Sequence, residues 1–75
     1  MELDISLHAI IRAKQRHRLK PQELTRRVKS CFDVARVQGI STGEEVDFAD
    51  GQGAVYVVKK TRWCKCVVVT VKNKA

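Results

Sequence analysis

The hydrophobic period of this sequence changes once, near Gly39, and that change limits the folds open to it. Before Gly39, apolar residues recur at three- and four-residue steps, the spacing of a helix face. Leu3, Leu7, Ile10 and Ile11, with Lys14 at the next step, predict a first helix from Ile5 or Ser6 to about His17. Asp4 or Ser6 can cap it through a side-chain oxygen. Pro21 stops any continuation and opens a second helix, where its missing N–H costs nothing. Leu24, Val28, Cys31 or Phe32, and Ala35 give that helix one stripe, ending near Gly39. Beyond Gly39 the apolar residues are β-branched runs. Ala54–Lys60 and Cys64–Lys72 predict strands, and Val46–Phe48 a shorter one. Asp50-Gly51 with Gly53 supplies one turn, and Thr61-Arg62-Trp63 a second, tighter one. Residues 1–5 are able to add a short strand. The expected architecture is α+β: two N-terminal helices packed on a three- to four-stranded antiparallel sheet, in the order α-α-β-β-β. Strand alternation puts Val67, Val69 and Val71 on one face of the last strand and Cys64, Cys66, Val68 and Thr70 on the other. Parity alone leaves open which face meets the helices.

A chain of 75 residues makes one domain, residues 1–75, and leaves no room for a two-domain enzyme with a large cleft. No apolar run reaches the roughly 18 residues of a membrane span, and no signal-peptide core opens the sequence, so a soluble, cytoplasmic protein is expected. The formal charge is +7, unevenly placed. Residues 1–37 hold 9 basic and 4 acidic groups, residues 38–58 hold 4 acidic and no basic ones, and residues 59–75 hold 6 basic and none acidic. Two basic blocks flank an acidic connector. If the blocks meet in the fold, they form a positive face toward nucleic acid, an acidic protein or anionic lipid; the alternative is charge kept for solubility.

Few residues offer chemistry. His8, Arg12 and Arg16 stand at i, i+4 and i+8, in a row on one helix face. Arg18 and Lys20 follow at the helix exit. Either the row is a solvated basic face with one incidental histidine, or it is a phosphate-binding ridge whose histidine moves protons near neutral pH. RNA cleavage needs a base for the 2′-OH, a cation for the phosphorane charge and an acid for the leaving oxygen. His8, Arg12, Arg16, Lys59, Lys60, Arg62, Tyr56 and Thr70 are the groups available. Glu44, Glu45, Asp47 and Asp50 read as loop or turn acids on a solvated edge. Cys64 and Cys66 share a strand face, but their spacing does not match a zinc knuckle. Cys31 and Cys66 read as small buried hydrophobes, and no metal or cofactor is expected. Trp63, between Arg62 and Lys65, either stacks on a base or folds over the sheet edge. The nucleic-acid contacts expected are Arg16, Arg18, Lys20, Lys59, Lys60, Arg62, Trp63 and Lys65.

Ser6-Leu7-His8-Ala9-Ile10-Ile11-Arg12, Leu19-Lys20-Pro21-Gln22-Glu23-Leu24 and Val67-Val68-Val69-Thr70-Val71 together resemble small toxin-like domains of the barnase/colicin/RelE-type ribonuclease superfamily. Those domains open on a helical Ser-x-His-Ala-x-x-Arg and close on a Val-x-Thr-Val strand. The resemblance covers nearly the whole chain by element order and about a dozen positions by residue. It implies helices packed on a curved antiparallel sheet, a basic groove for RNA, and metal-independent transesterification to a 2′,3′-cyclic phosphate. His8, Arg12 and Thr70 match the family's polar pattern and are the catalytic residues it implies. The expected function is thus a small basic RNA-binding protein, an endoribonuclease of toxin type. The alternative is a non-catalytic phage- or plasmid-like protein that engages nucleic acid or an acidic host protein. Expected partners are RNA or another nucleic acid, an antitoxin-like inhibitor or host protein, and a second copy of the chain through an unpaired strand edge.

Overall fold

Ser6 decides where the chain leaves the sheet for the first helix. In a computed structural model, which describes residues 1–74, the Ser6 hydroxyl accepts from the Ala9 amide at 3.1 Å and donates to the Val69 carbonyl at 3.1 Å. One side chain therefore caps α1 (Leu7–His17) and ties its start to the last strand. Arg18 closes α1 with φ 53°, its amide donating to the carbonyls of Ala13 and Lys14. Leu19 follows, buried, and α2 (Pro21–Cys31) starts on the proline. Among the described residues no helix is long and apolar enough to cross a membrane.

The second helix is shorter than its stripe predicts. Phe32 turns extended, and the Asp33 carboxylate accepts from the Ala35 amide at 3.0 Å, capping a separate helix, α3 (Val34–Gln38). The break re-aims the chain: Val37 becomes fully buried, Ala35 faces solvent, and Phe32 meets Phe48 at a 5.5 Å centroid distance. The helical segment therefore holds three helices rather than two. An aspartate able to cap competes with continuation of the helix, and here it wins.

The sheet has four strands in the order β1-β4-β3-β2: β1 (Glu2–Ile5), β2 (Glu45–Ala49), β3 (Ala54–Arg62) and β4 (Lys65–Asn73). The α+β architecture stands, and the sheet is mixed rather than wholly antiparallel. Strand β1 runs parallel to β4, with Glu2 opposite Lys65 and Ile5 opposite Val68. This edge needs the intervening helices as its crossover, so no local turn signal announces it. It also places β4 inside the sheet along Lys65–Val68, where β1 pairs it on one side and β3 on the other.

Alternation fails at one point in β4. Val57 pairs with Thr70 and Val58 with Val68, which leaves Val69 as the extra residue of a bulge. Cys66 and Val68 face the helices before the bulge, and Val71 does so after it. Neither parity set is therefore the core set. Tyr56, Val58, Phe48, Leu24, Val28, Val37, Ala9 and Ala13 complete the buried layer between helices and sheet.

Candidate nucleic-acid interface

The fold rearranges the charge map into layers. Residues 6–39, the helical layer with its caps, hold nine Lys and Arg against two acids, Glu23 and Asp33. The remaining residues hold six of each. The whole excess of +7 therefore lies on the helical layer. The sheet is neutral because β1 brings Glu2 and Asp4 beside the second basic block. Lys65 Nζ sits 3.2 Å from Asp4 and 4.0 Å from Glu2, and Lys72 Nζ lies 3.0 Å from Asp47.

The tip of the second basic block does not reach α1; of that block, Lys72, paired with Asp47, comes near it, beside the Val71 carbonyl that Arg16 bonds. The tip bearing Arg62, Trp63 and Lys65 stands where β4 begins, and the Arg16 guanidinium donates to the Val71 carbonyl at 3.2 Å. Val71 lies six residues along the strand from Lys65, about 20 Å at roughly 3.3 Å per residue. Trp63 is 80% exposed, so it neither folds over the sheet edge nor joins the core. Lys59 is half-buried, and Lys60 is buried. The Lys60 ammonium donates to the carbonyls of Gln38 (3.1 Å) and Ile40 (2.8 Å), which closes the C-terminal end of α3. That side chain holds the fold together and is withdrawn from any ligand.

On α1 the arrangement is different. From Leu7 to Gln22 the chain carries five Lys and Arg and no acid, and among the described residues none of the five is in an ion pair. Ala9 and Ala13 are fully buried against the sheet. At 100° per residue, Arg16, Arg12 and His8 form one flank of that buried stripe. Arg16 shows which way the flank faces: toward the half of β4 that β1 leaves uncovered. His8 is exposed, and half-buried Arg12 donates to the side-chain Oε1 of Gln15 at 3.5 Å. Thr70 shares the opposite face of the sheet with Val57, one residue past the Ser6 anchor at Val69. Among the described residues, no hydrogen bond holds the His8 ring or the Thr70 hydroxyl, and because Thr70 lies on the sheet face away from the helices, the fold does not bring it together with His8 and Arg12. Lys14, Arg18 and Lys20 gather on the other side of α1, around a concavity of about 370 Å³ floored by Leu19 and Pro21.

Asp50 is the polar residue whose part the sequence understates. Its side chain is 2% exposed, and it is no solvated edge. One oxygen accepts from the amides of Gln52 (2.7 Å) and Ala54 (3.2 Å); the other accepts from the Tyr56 hydroxyl (2.7 Å) and Arg27 (3.5 Å). Burial would raise its carboxyl, but the Tyr56 hydroxyl, the two amides and the Arg27 guanidinium outweigh that and hold it below the usual range. Burial, reinforced by Asp50, pushes the Tyr56 phenol well above its ordinary value. An aspartate before Gly-x-Gly is a signal for such a side-chain-bonded turn. Cys66 is buried and Cys64 exposed, and burial raises the thiols of Cys31 and Cys66. Among the described residues no three His, Cys, Asp or Glu side chains cluster closely enough to hold a metal ion. Comparison with known proteins finds no matching family model, curated protein or solved structure.

Proposed function

We propose that the protein binds RNA through the acid-free face of α1 and cleaves it there as a metal-independent endoribonuclease. The observation that carries the reading is the segment Leu7–Gln22: five cations, none in an ion pair among the described residues, and no carboxylate, on a molecule whose residues outside the helical layer balance six cations with six acids. Phosphodiester groups suit such a face, because each one bound releases condensed counterions and adds affinity without sequence preference. For cleavage, His8 takes the 2′-OH proton as the 2′-oxygen attacks phosphorus, and Arg12 braces the charge that develops on the phosphorane. Arg16, held on the Val71 carbonyl, lines the approach, and the leaving 5′-oxygen takes its proton from solvent water.

A second reading keeps the RNA and drops the cleavage. The solvent-facing, unbonded ring of His8 favours it, since general-base catalysis needs an oriented imidazole. One assay separates the two. Purified protein is incubated with 5′-labelled RNA in EDTA, and products are tested for a 2′,3′-cyclic end. The proposal expects cleavage that drops on the order of 100-fold or more in His8→Ala while RNA binding persists. RNA retained but uncut by the wild type leaves the binding reading; cutting unchanged in His8→Ala removes His8 from the reaction.

A further inference from the structure

The RNA reading leaves unexplained why three cations surround one hollow away from His8. Lys14, Arg18 and Lys20 line the concavity of about 370 Å³ between the end of α1 and the start of α2, with Leu19 and Pro21 as its floor. None of the three makes a side-chain hydrogen bond or ion pair among the described residues, and none of the lining residues is acidic. Arg18 and Lys20 flank Leu19 in a link that the fold holds in place. Leu19 is buried, which pins the link between the helices. Arg18 occupies the left-handed helix-closing position, where its amide is bonded to two carbonyls. A second hollow, of about 290 Å³, offers a contrast: it is lined by Glu23, Arg26, Arg27, Ser30 and Gln52. There Arg27 already faces Asp50, and Glu23 brings its own negative charge, so that hollow suits an anion poorly.

We propose that the Lys14–Arg18–Lys20 hollow is a phosphodiester subsite, occupied by a backbone phosphate of the bound RNA one or more nucleotides away from the bond near His8. The inference rests on the RNA reading and adds to it a second point of attachment across α1. A guanidinium and two ammonium groups around one recess provide bidentate and point-charge recognition of a phosphate together. The apolar floor of Leu19 and Pro21 removes water from one side of that anion. A strand held both here and at Arg12 and Arg16 crosses α1, so His8 meets a fixed linkage instead of a sliding one.

The test uses the full chain, a fluorescein-labelled single-stranded RNA of about ten nucleotides bearing 2′-O-methyl groups to block cleavage, and anisotropy from 50 to 200 mM salt. Arg18→Gly suits the left-handed backbone, so weakened binding in this variant does not come from misfolding. Expected is weaker RNA binding in Arg18→Gly and in Lys14→Ala/Lys20→Ala, with the slope of log K against log salt reduced by about 0.7 for the one phosphate no longer neutralised. Amide shifts on titrating inorganic phosphate should centre on residues 14–20. Wild-type binding with an unchanged slope in both variants overturns the subsite and leaves the RNA reading standing. A wild type that does not bind RNA even at 50 mM salt overturns both.

Discussion

Arg18 is a residue in the wrong conformation for its type. The left-handed region costs a side-chain-bearing residue about 1–2 kcal/mol, and glycine is the usual occupant of a helix-closing site. Arg18→Gly should therefore raise stability by about 1 kcal/mol, a thermal midpoint several degrees higher, while removing a cation. Calorimetry checks it; a lower midpoint would show that the Arg18 side chain holds the α1–α2 link through its own packing. Asp50 and Tyr56 each make the stability of the fold depend on pH. Because the Asp50 carboxyl lies below its ordinary value in the fold, its contribution is complete above the unfolded value near pH 4 and is lost as the pH falls further. The Tyr56 phenol lies above its ordinary value, so its contribution holds below about pH 10 and is lost as the pH rises beyond it. Tyr56→Phe leaves one buried carboxylate oxygen short of a donor and should cost about 1–3 kcal/mol at pH 7. That deficit should shrink above pH 10, where the phenol ionises in the unfolded wild type while the folded one keeps its proton. Urea melts at pH 7 and pH 11 measure it, and an equal deficit at both would remove Tyr56 from the alkaline loss of stability.

Elements in this chain are held by a few specific anchors, and those anchors explain what could be read beforehand. Helix α1 approaches β4 closely because Ala9 and Ala13, both fully buried, leave nothing between them. Ala13→Leu should overpack that interface and cost about 1–3 kcal/mol, whereas the same change at exposed Lys14 should be nearly neutral. Denaturant midpoints of the two variants give the comparison, and similar values would mean that α1 is free to move off the sheet. The alternating period made α1, the start of α2 at Pro21 and the strands β2, β3 and β4 legible, since each carries its own local pattern. Asp33 was not legible as a break: inside an apolar stripe, a capping aspartate and a solvent-facing one look alike. The Val69 bulge was hidden for a related reason. Every residue from Val67 to Val69 is valine, so a one-residue slip within the run changes no hydrophobicity, and the register is fixed by tertiary bonds such as those of Ser6 to Val69 and Arg16 to Val71. Strand β1 is the longest-range case, because its partner lies some sixty residues away.

At the scale of the whole molecule, sequence order and spatial order give opposite accounts of the charge. Along the chain, a basic N-terminal part and a basic C-terminal hairpin flank acids. In space, β1 folds back on β4 and its acids reach Lys65, Asp47 reaches Lys72, and Lys60 disappears beneath α3. What remains is a neutral sheet beneath a helical layer carrying the net +7. Arg12, Arg16, Arg18 and Lys20, with His8 in the same row, were legible as part of that layer, because a stretch with five cations, Lys14 the fifth, and no acid needs no tertiary structure to be noticed. The hairpin cations read the same way in sequence, since neutralisation by a parallel strand leaves no local trace. A salt titration turns this layering into a measurement. With Arg12→Ala/Arg16→Ala, RNA affinity at 50 mM salt should fall, and the salt slope should drop by about 0.7 for each phosphate the variant no longer neutralises. With Arg62→Ala/Lys65→Ala, which removes the same formal charge from the sheet side, the slope should stay that of the wild type. Equal reductions in the two variants would mean that RNA responds only to total charge. A larger reduction from the hairpin pair would move the interface to the Trp63 tip, 80% exposed and about 20 Å along β4 from the Arg16 anchor.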